Sequence, residues 1–296
     1  MRPAKLKVGL VQQAVADNDK ATNWNKSAEQ IAKLAAEGCE CILLQELHST
    51  LYFCQQEDTD AFDLAEPIPG PATEFFGELA EKHNIVLVTS LFEKRGSGLY
   101  HNTAVVFDRS KEIAGKYRKM HIPDDPGFYE KFYFTPGDMG FTPIETSVGK
   151  LGVLVCWDQW YPEAARLTAL QGAEVLFYPT AIGWHPHEKE QYGTNQHGAW
   201  MNVMKGHAVA NGSYVAAANR IGLEQYLPDT AGIEFWGASF ICGPQGEILA
   251  QASHDKEEIL IAEIDMNLME DVRRNWPFFR DRRIENYGDI TKRAID

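Results

Sequence analysis

The fold is decided by residues 151–180, LGVLVCWDQWYPEAARLTALQGAEVLFYPT. An apolar strand ends at Cys156, and Pro162 stands where the first turn of a helix favours proline. The helix ends at Gly172, because glycine suits the left-handed position that follows many helices. The continuous apolar run Val175–Tyr178 is typical of a strand buried on both faces. The stretch therefore predicts a strand, a helix and a second strand of a helix-covered sheet.

The same order of elements occurs near the N-terminus. The apolar run Leu6–Val15 is followed by Thr22–Glu37, whose apolar residues have helical spacing, and then by Gly38 and the apolar run Cys41–Leu44. The segments LAAEGCECILLQE and LTALQGAEVLFYP align with Gly38 over Gly172. We infer two related half-folds.

Strands and helices alternate along the rest of the chain. The predicted strands are Ile85–Phe92, Thr103–Asp108, Leu151–Cys156, Tyr214–Asn219, Ser239–Gly243 and Ile259–Ile264, and the predicted helices are Ala72–His83 and Thr194–Asn211. Two hairpins are predicted, at Val105–Tyr117 and at Phe240–Ala250. The pattern predicts an α/β fold with mixed sheets covered by helices. Because no Ser/Pro/Gly-rich linker interrupts it, we expect one domain over residues 1–296.

Charge and composition exclude several classes of protein. The 296 residues include 28 Lys+Arg and 42 Asp+Glu, so the net charge is −14, which argues against nucleic-acid binding. We expect no membrane interaction and a cytoplasmic location, because no apolar run is long enough to span a bilayer and Met1–Gln13 lacks a signal-peptide core. The five cysteines include no C-x-x-C pair, which indicates neither a disulfide framework nor a zinc ribbon.

Three side chains are candidates for covalent chemistry. Cys156 lies at a strand-to-helix turn, where backbone N–H groups can stabilise a thiolate and a developing oxyanion. Glu46 follows an apolar strand, where partial desolvation suits a general base. Lys119 lies in KYRKMHIP after a predicted strand and can offer a fixed cation to a carbonyl oxygen. Each residue taken singly has an ordinary structural interpretation: a buried thiol, a cap and a solvated lysine.

Taken together, these segments resemble the carbon–nitrogen hydrolase (nitrilase) superfamily over nearly the whole chain. Within it, FYEKFYFTPGD, CWDQWYPEAARLTALQGAEVLFYPTAIG, NRIG and FICGPQGEIL look most like the N-carbamoylputrescine amidases. The resemblance implies a four-layer αββα sandwich, no metal or organic cofactor, and a homodimer or larger homo-oligomer. It also implies a catalytic triad of Glu46, Lys119 and Cys156, with Glu130 as a second glutamate that supports the lysine and the substrate.

The implied activity is amidohydrolysis of N-carbamoylputrescine to putrescine, ammonia and carbon dioxide. A carbamoylated diamine ends in an ammonium, so its pocket needs carboxylates or aromatic faces. The residues expected to bind substrate are Tyr52, Asp124, Asp125, Tyr129, Trp157, Ala181, His185 and Glu188. The alternative is a β-ureidopropionase or an ω-amidase-type hydrolase, and a non-catalytic protein that keeps the fold is disfavoured because all four catalytic positions are intact.

The histidine-rich stretch after Ile182 is open to a second interpretation. His185, His187 and His197 lie near Glu188 and Glu190, and imidazole with carboxylate suits zinc. However, the rigid proline in H-P-H and the absence of a ligand pattern such as H-E-x-x-H disfavour a metal site. We therefore predict no metal, and a role for His185 at the pocket.

Overall fold

The computed structural model describes residues 3–228 and 230–295. The strands are β1 (Lys5–Gln12), β2 (Cys41–Leu43), β3 (Val86–Gly96), β4 (Leu99–Asp108), β5 (Ile113–Arg118), β6 (Ile144–Thr146), β7 (Gly149–Val153), β8 (Val175–Thr180), β9 (Gly183–Trp184), β10 (Tyr214–Asn219), β11 (Ile221–Glu224), β12 (Ile233–Trp236), β13 (Phe240–Cys242), β14 (Ile248–Gln251) and β15 (Glu258–Asp265). The helices are α1 (Lys20–Ala36), α2 (Pro71–His83), α3 (Glu130–Tyr133), α4 (Pro162–Leu170), α5 (Lys189–Asn211) and α6 (Met266–Asn275). Each predicted strand and helix overlaps one of these elements.

The strands form two six-stranded mixed sheets with the same internal plan. The first sheet has the strand order β15-β1-β2-β3-β4-β5. The second, read from the edge that corresponds to β15, has the order β6-β7-β8-β10-β13-β14. Three central strands of each sheet run parallel, and the outer pairings are antiparallel. The helix that joins the first two parallel strands is α1 in one sheet and α4 in the other. The two half-folds inferred from the sequence therefore share the same strand order and the same strand directions.

Glycine ends both of these helices. Gly38 and Gly172 have φ values of 83° and 96°, a left-handed conformation that side chains with a Cβ rarely adopt. Their N–H groups donate to Ala35 O at 2.9 Å and to Ala169 O at 3.0 Å. The two aligned glycines therefore have the same role: each allows the chain to turn from the helix into the following strand.

The sheets pack face to face, and helices cover both outer faces. On β3, Val86 and Val88 belong to the core between the sheets, whereas Leu87 packs in a separate core that contains Ile31 of α1 and Phe76 of α2. Strand side chains alternate between faces, so a strand covered on both sides is apolar throughout. Helices α4 and α5 cover the second sheet. The four layers confirm the predicted αββα sandwich, and the single domain over residues 1–296 stays a prediction.

The sequence pattern did not indicate every element. Strands β9, β11 and β12 form a small third sheet near the ends of the main strands, and β9 has only two residues, too few for a periodic signal. Helix α5 begins at Lys189, five residues before the predicted start. None of the helices within residues 3–228 and 230–295 is long and apolar enough to cross a membrane.

Candidate active site

Four side chains predicted to be catalytic meet at one end of the sandwich, although they are far apart in sequence. Glu46 follows β2, Lys119 follows β5, Cys156 follows β7, and Glu130 begins the short helix α3. The side chains of Glu46, Lys119 and Glu130 have no solvent exposure, and Cys156 is 4% exposed. Charged groups so deeply buried must be paired, because transfer of an isolated ion from water costs many kcal/mol.

Lys119 lies between two carboxylates. Its Nζ is 2.8 Å from Oε1 of Glu46 and 2.6 Å from Oε2 of Glu130. Its own N–H donates to Asn102 O at 2.9 Å, and its carbonyl accepts from the N–H of Gly137 at 2.8 Å. Backbone and side chain are both held, so the ammonium occupies a fixed position.

The carboxylates of Glu46 and Glu130 differ in whether both oxygens have hydrogen-bond partners. Oε1 of Glu46 accepts a second hydrogen bond, from Asn102 Nδ2 at 2.7 Å, while Oε2 has no hydrogen-bond partner among the described residues. Glu130 uses both oxygens, since Oε1 accepts from the Tyr52 hydroxyl at 2.6 Å. Glu46 therefore has one buried oxygen without a hydrogen-bond partner among the described residues, whereas both oxygens of Glu130 are hydrogen-bonded.

Cys156 opens a tight turn that spans residues 156–160. Its φ is 42°, a left-handed conformation that is unfavourable for any residue but glycine and that is characteristic of strained functional positions. Its Sγ lies 3.5 Å from the carbonyl oxygen of Ala181. The turn raises the thiol above the end of β7, which stops at Val153 rather than at Cys156 as the sequence pattern predicted.

Asp158 holds this turn. Its Oδ2 accepts from Val155 N at 2.9 Å and from the Tyr117 hydroxyl at 2.8 Å, and its Oδ1 accepts from the backbone N–H of His121 at 3.0 Å. An aspartate shortly before a helix that starts with Pro-Glu is expected to cap that helix, but Asp158 does not do so: Tyr161 precedes α4 without any side-chain cap. The carboxylate is fully buried, and its hydrogen bonds close the turn of Cys156 and tie it to Tyr117 and His121.

Burial and charge set the protonation of the cluster. Burial, and after it the charge of Glu46, raises the pKa of the Cys156 thiol well above its usual range. Burial alone would lower the pKa of Lys119, but the carboxylates of Glu130 and Glu46 outweigh burial and raise it well above its ordinary value. Burial also raises the pKa of Glu130 to about 7, against the opposing charge of Lys119. At neutral pH the site thus holds a neutral thiol beside a charged lysine.

A cavity of about 280 Å³ leads from Cys156 toward the surface. Five of the eight residues predicted to bind substrate line it: Trp157, Ala181, Asp125, His185 and Glu188. The indole rings of Trp160 and Trp236 and the ring of Phe128 complete much of the wall. Over residues 3–228 and 230–295, the wall includes three carboxylates, Asp125, Glu130 and Glu188, and neither lysine nor arginine.

The other three predicted substrate-binding residues lie outside this wall. Tyr52 is fully buried behind Glu130, to which it donates its hydroxyl proton. Asp124 is exposed, with Oδ2 4.0 Å from Nζ of Lys131. Tyr129 is half-buried, and its backbone N–H donates to Cys54 O at 2.8 Å. Substrate contact by these three stays a prediction.

The histidines do not assemble a metal site. The rings of His185 and His187 lie 5.6 Å apart, whereas His197 packs against His254 at 4.7 Å in a different part of the structure. Burial, and then the charge of His254, lowers the pKa of His197 to about 4. In the part of the chain that the structure describes, no group of three or more His, Cys, Asp or Glu is arranged to hold a metal ion.

A glycine fixes the position of His185 at the cavity. Gly127 has a φ of 75°, and a Cβ there would lie 2.8 Å from Cε1 of His185. The Phe128 ring packs edge-to-face with the same imidazole, with ring centroids 5.8 Å apart. Only a residue without a side chain lets the two segments approach this closely.

Sequence reasoning missed several residues of the site. Asn102 lies in β4 within the polar run His101–Thr103, one residue before the predicted start of that strand, and nothing in the run indicates contact with Glu46. Trp160 and Trp236 are typical of aromatic residues in a hydrophobic core. Nothing in their local sequence indicates that they line a cavity. Arg220, within the quoted motif NRIG, has hydrogen bonds to the segment that follows Glu46 and was left without a role.

Comparison with known proteins agrees with this geometry. The family model described as carbon-nitrogen hydrolase matches residues 7–274. The chain is 43% identical to the citrullinase of Francisella tularensis, over 98% of this chain and 99% of the relative, and 42% identical to the N-carbamoylputrescine amidase of Arabidopsis thaliana, over 97% and 95%. The crystal structure of a carbon-nitrogen hydrolase from Helicobacter pylori G27 superposes with a TM-score of 0.94, at 51% identity over 98% of this chain and all of that one.

The chain therefore belongs to the carbon–nitrogen hydrolase family, within the nitrilase superfamily. Its activity is hydrolysis of carbon–nitrogen bonds other than peptide bonds, as an amidohydrolase of small molecules.

Proposed function

We propose that the protein hydrolyses N-carbamoylputrescine to putrescine, ammonia and carbon dioxide. The observation that carries this proposal is the cavity wall beside Cys156, which presents Asp125 and Glu188 among aromatic rings. Such a wall favours a neutral ureido group at the thiol and an ammonium at the far end, since carboxylates and aromatic faces both attract cations. Relatives named N-carbamoylputrescine amidase support the same substrate.

The first half-reaction forms a carbamoyl-enzyme. Glu46 accepts the proton of the Cys156 thiol, whose raised pKa requires a base, and the sulfur attacks the ureido carbon. The backbone N–H of Trp157 and the ammonium of Lys119 stabilise the tetrahedral oxyanion. The bond from this carbon to the terminal NH₂ then breaks, Glu46 returns the proton, and ammonia leaves.

The second half-reaction releases the amine. Water gives a proton to Glu46 and attacks the thioester-like carbon, and the carbon–sulfur bond breaks with return of the proton to sulfur. The product is a carbamic acid, which decomposes to carbon dioxide and putrescine. Glu130 remains paired with Lys119 through both steps and holds the ammonium toward the oxyanion.

Citrulline is the second candidate substrate, because the relative named citrullinase is 43% identical over nearly the whole chain. Citrulline carries the same ureido group and ammonium, with an added carboxylate. That carboxylate would need a cation or several N–H donors, and the cavity wall presents no lysine or arginine in the described residues. Lys189 is directed elsewhere, with Nζ 2.6 Å from Oε1 of Glu234.

The test is ammonia release by the purified protein from N-carbamoylputrescine, citrulline and N-carbamoyl-β-alanine, with the Cys156→Ala variant alongside. We expect the largest kcat/KM for N-carbamoylputrescine and no release by the variant. A larger kcat/KM for citrulline would reassign the substrate and keep the mechanism. Turnover by Cys156→Ala would contradict the nucleophile.

We also propose that the protein is a homodimer or a larger homo-oligomer. The C-terminal segment exposes large apolar side chains, with Ile284 67% and Ile290 65% exposed, and α4 exposes Leu167 and Leu170. Exposed apolar groups of this kind favour association. Light scattering after gel filtration measures the mass, and Ile290→Asp is expected to lower it if this surface is the interface.

A further inference from the structure

A buried ion pair outside the cavity is not used by the mechanism above. Arg220, between β10 and β11, and Glu224, at the end of β11, form two parallel hydrogen bonds, Nε to Oε1 at 2.9 Å and Nη2 to Oε2 at 2.7 Å. The side chains are 0% and 3% exposed. A buried pair contributes little net stability, because loss of hydration offsets the attraction, so its presence calls for another explanation.

Arg220 directs its other contacts to the segment that follows Glu46. Its Nη1 donates to the carbonyl oxygens of Glu46 at 3.1 Å and Leu47 at 2.9 Å, and its Nη2 donates to that of Thr50 at 2.8 Å. Leu47 has a φ of 48°, a left-handed conformation that is unfavourable for leucine. The guanidinium thus holds a strained turn directly next to the proposed base.

Glu224 reaches the second carboxylate of the cluster. Its Oε2 accepts the backbone N–H of Tyr52 at 2.8 Å, and the hydroxyl of Tyr52 donates to Glu130 at 2.6 Å. One ion pair is therefore linked to Glu46 through a backbone carbonyl and to Glu130 through Tyr52. These are the two carboxylates between which Lys119 lies.

We propose that Arg220 and Glu224 are positioning residues, which hold the segment from Glu46 to Tyr52 so that both carboxylates stay on Lys119. The pair touches neither the cavity nor Cys156 in the described contacts, so it acts through these groups. This inference rests on the proposed role of Glu46 as the base. The arginine of the NRIG motif thus has a proposed role in positioning the catalytic residues, and this role does not involve contact with the substrate.

The test compares two conservative variants with a matched control. Arg220→Lys keeps the charge but not the planar fork that reaches three carbonyls, and Glu224→Asp keeps the charge but shortens the reach to Tyr52. The control is Arg109→Lys, because Arg109 also pairs with a glutamate, Glu40, and donates to a backbone carbonyl, at the other end of the first sheet. Assays are run at a temperature at which circular dichroism finds every variant folded.

Two readouts separate positioning from folding. The first is the division of the effect between kcat and KM, and the second is the rate at which iodoacetamide alkylates Cys156, which depends on the base and needs no substrate. We expect both Arg220→Lys and Glu224→Asp to lower kcat and the alkylation rate about 10- to 100-fold, with KM changed less than about threefold. Arg109→Lys is expected to match the wild type in both.

Other results would each contradict one of the proposals. The positioning role is wrong if Arg220→Lys keeps kcat and alkylation within about twofold of wild type, or if Arg109→Lys loses as much of both. If the wild type releases no ammonia from N-carbamoylputrescine, the proposed substrate fails, and the alkylation comparison still decides the positioning role. If the wild type and Glu46→Gln are alkylated at the same rate, the proposed base fails instead.

Discussion

Replacement of Glu130 by glutamine should change how the stability of the protein depends on pH. Burial raises the pKa of this carboxyl from 4.5 to about 7, although Lys119 and Tyr52 act in the opposite direction. Between these values the folded protein holds a proton that the unfolded chain has already lost. The folded state is therefore favoured at low pH, and this contribution disappears as pH rises from about 4.5 through about 7.

The magnitude follows from the size of the shift. A difference of about 2.5 in pKa corresponds to about 3 kcal/mol in the free energy of unfolding. No reduction for solvent screening applies, because the Glu130 side chain is fully buried. Glutamine does not titrate, so Glu130→Gln lacks this dependence, while the groups that do not contact Glu130 still contribute.

The measurement is urea unfolding of both proteins at several pH values from about 4.5 to about 8, at one fixed protein concentration. The difference in unfolding free energy, wild type minus variant, should fall by about 3 kcal/mol across this range. Glu145→Gln is the control, because Glu145 is 73% exposed, and its curve should parallel the wild type. Parallel curves for wild type and Glu130→Gln, or a difference that rises with pH, would refute the reasoning.

Three further variants test other parts of the structure. Asp158→Asn removes a buried acceptor of several hydrogen bonds and should slow both turnover and Cys156 alkylation about 10-fold or more, and unchanged rates would show that the turn holds itself. Glu93→Gln should remove stability that is present above about pH 4.5 and lost toward pH 2. Burial alone would raise the pKa of Glu93, but hydrogen bonds from Arg118, Thr103 and Lys116 outweigh burial and lower it to about 2. Urea unfolding at acid pH should give a difference of about 3 kcal/mol between wild type and variant, and equal pH profiles would contradict this. Asp125→Asn combined with Glu188→Gln should raise KM for N-carbamoylputrescine about 10-fold or more with kcat little changed, whereas an unchanged KM would place the ammonium elsewhere.

Local pattern predicted the strands, the helices and mixed sheets covered by helices, whereas the four-layer arrangement was implied by the resemblance to the nitrilase superfamily. Apolar runs, helical spacing and the two aligned glycines each act within about ten residues, so they can be read without knowing the tertiary structure. The predicted repeat is present as a matched strand order in the two sheets. The short β9 and the third sheet escaped notice because two residues carry no period.

Part of the candidate site was likewise predicted from the sequence, and part of it became known only from the structure. The resemblance to known family motifs supplied Glu46, Lys119, Cys156 and Glu130, and the structure brings these four together. The structure also shows that Asp158 holds the turn of Cys156 and does not cap the following helix, and that Tyr52 lies behind Glu130 and not in the cavity wall.

The amino-acid sequence alone determined the secondary structure, its repetition and the kinds of side chain available for catalysis. Only the tertiary structure decided which oxygen of Glu46 is free, which residues line the cavity, and that Arg220 holds the turn after Glu46. The physical reason is distance along the chain: Lys119 contacts Glu46 across 73 residues and Arg220 contacts it across 174. Contacts between such distant residues depend on how the two sheets pack, and no local pattern encodes them.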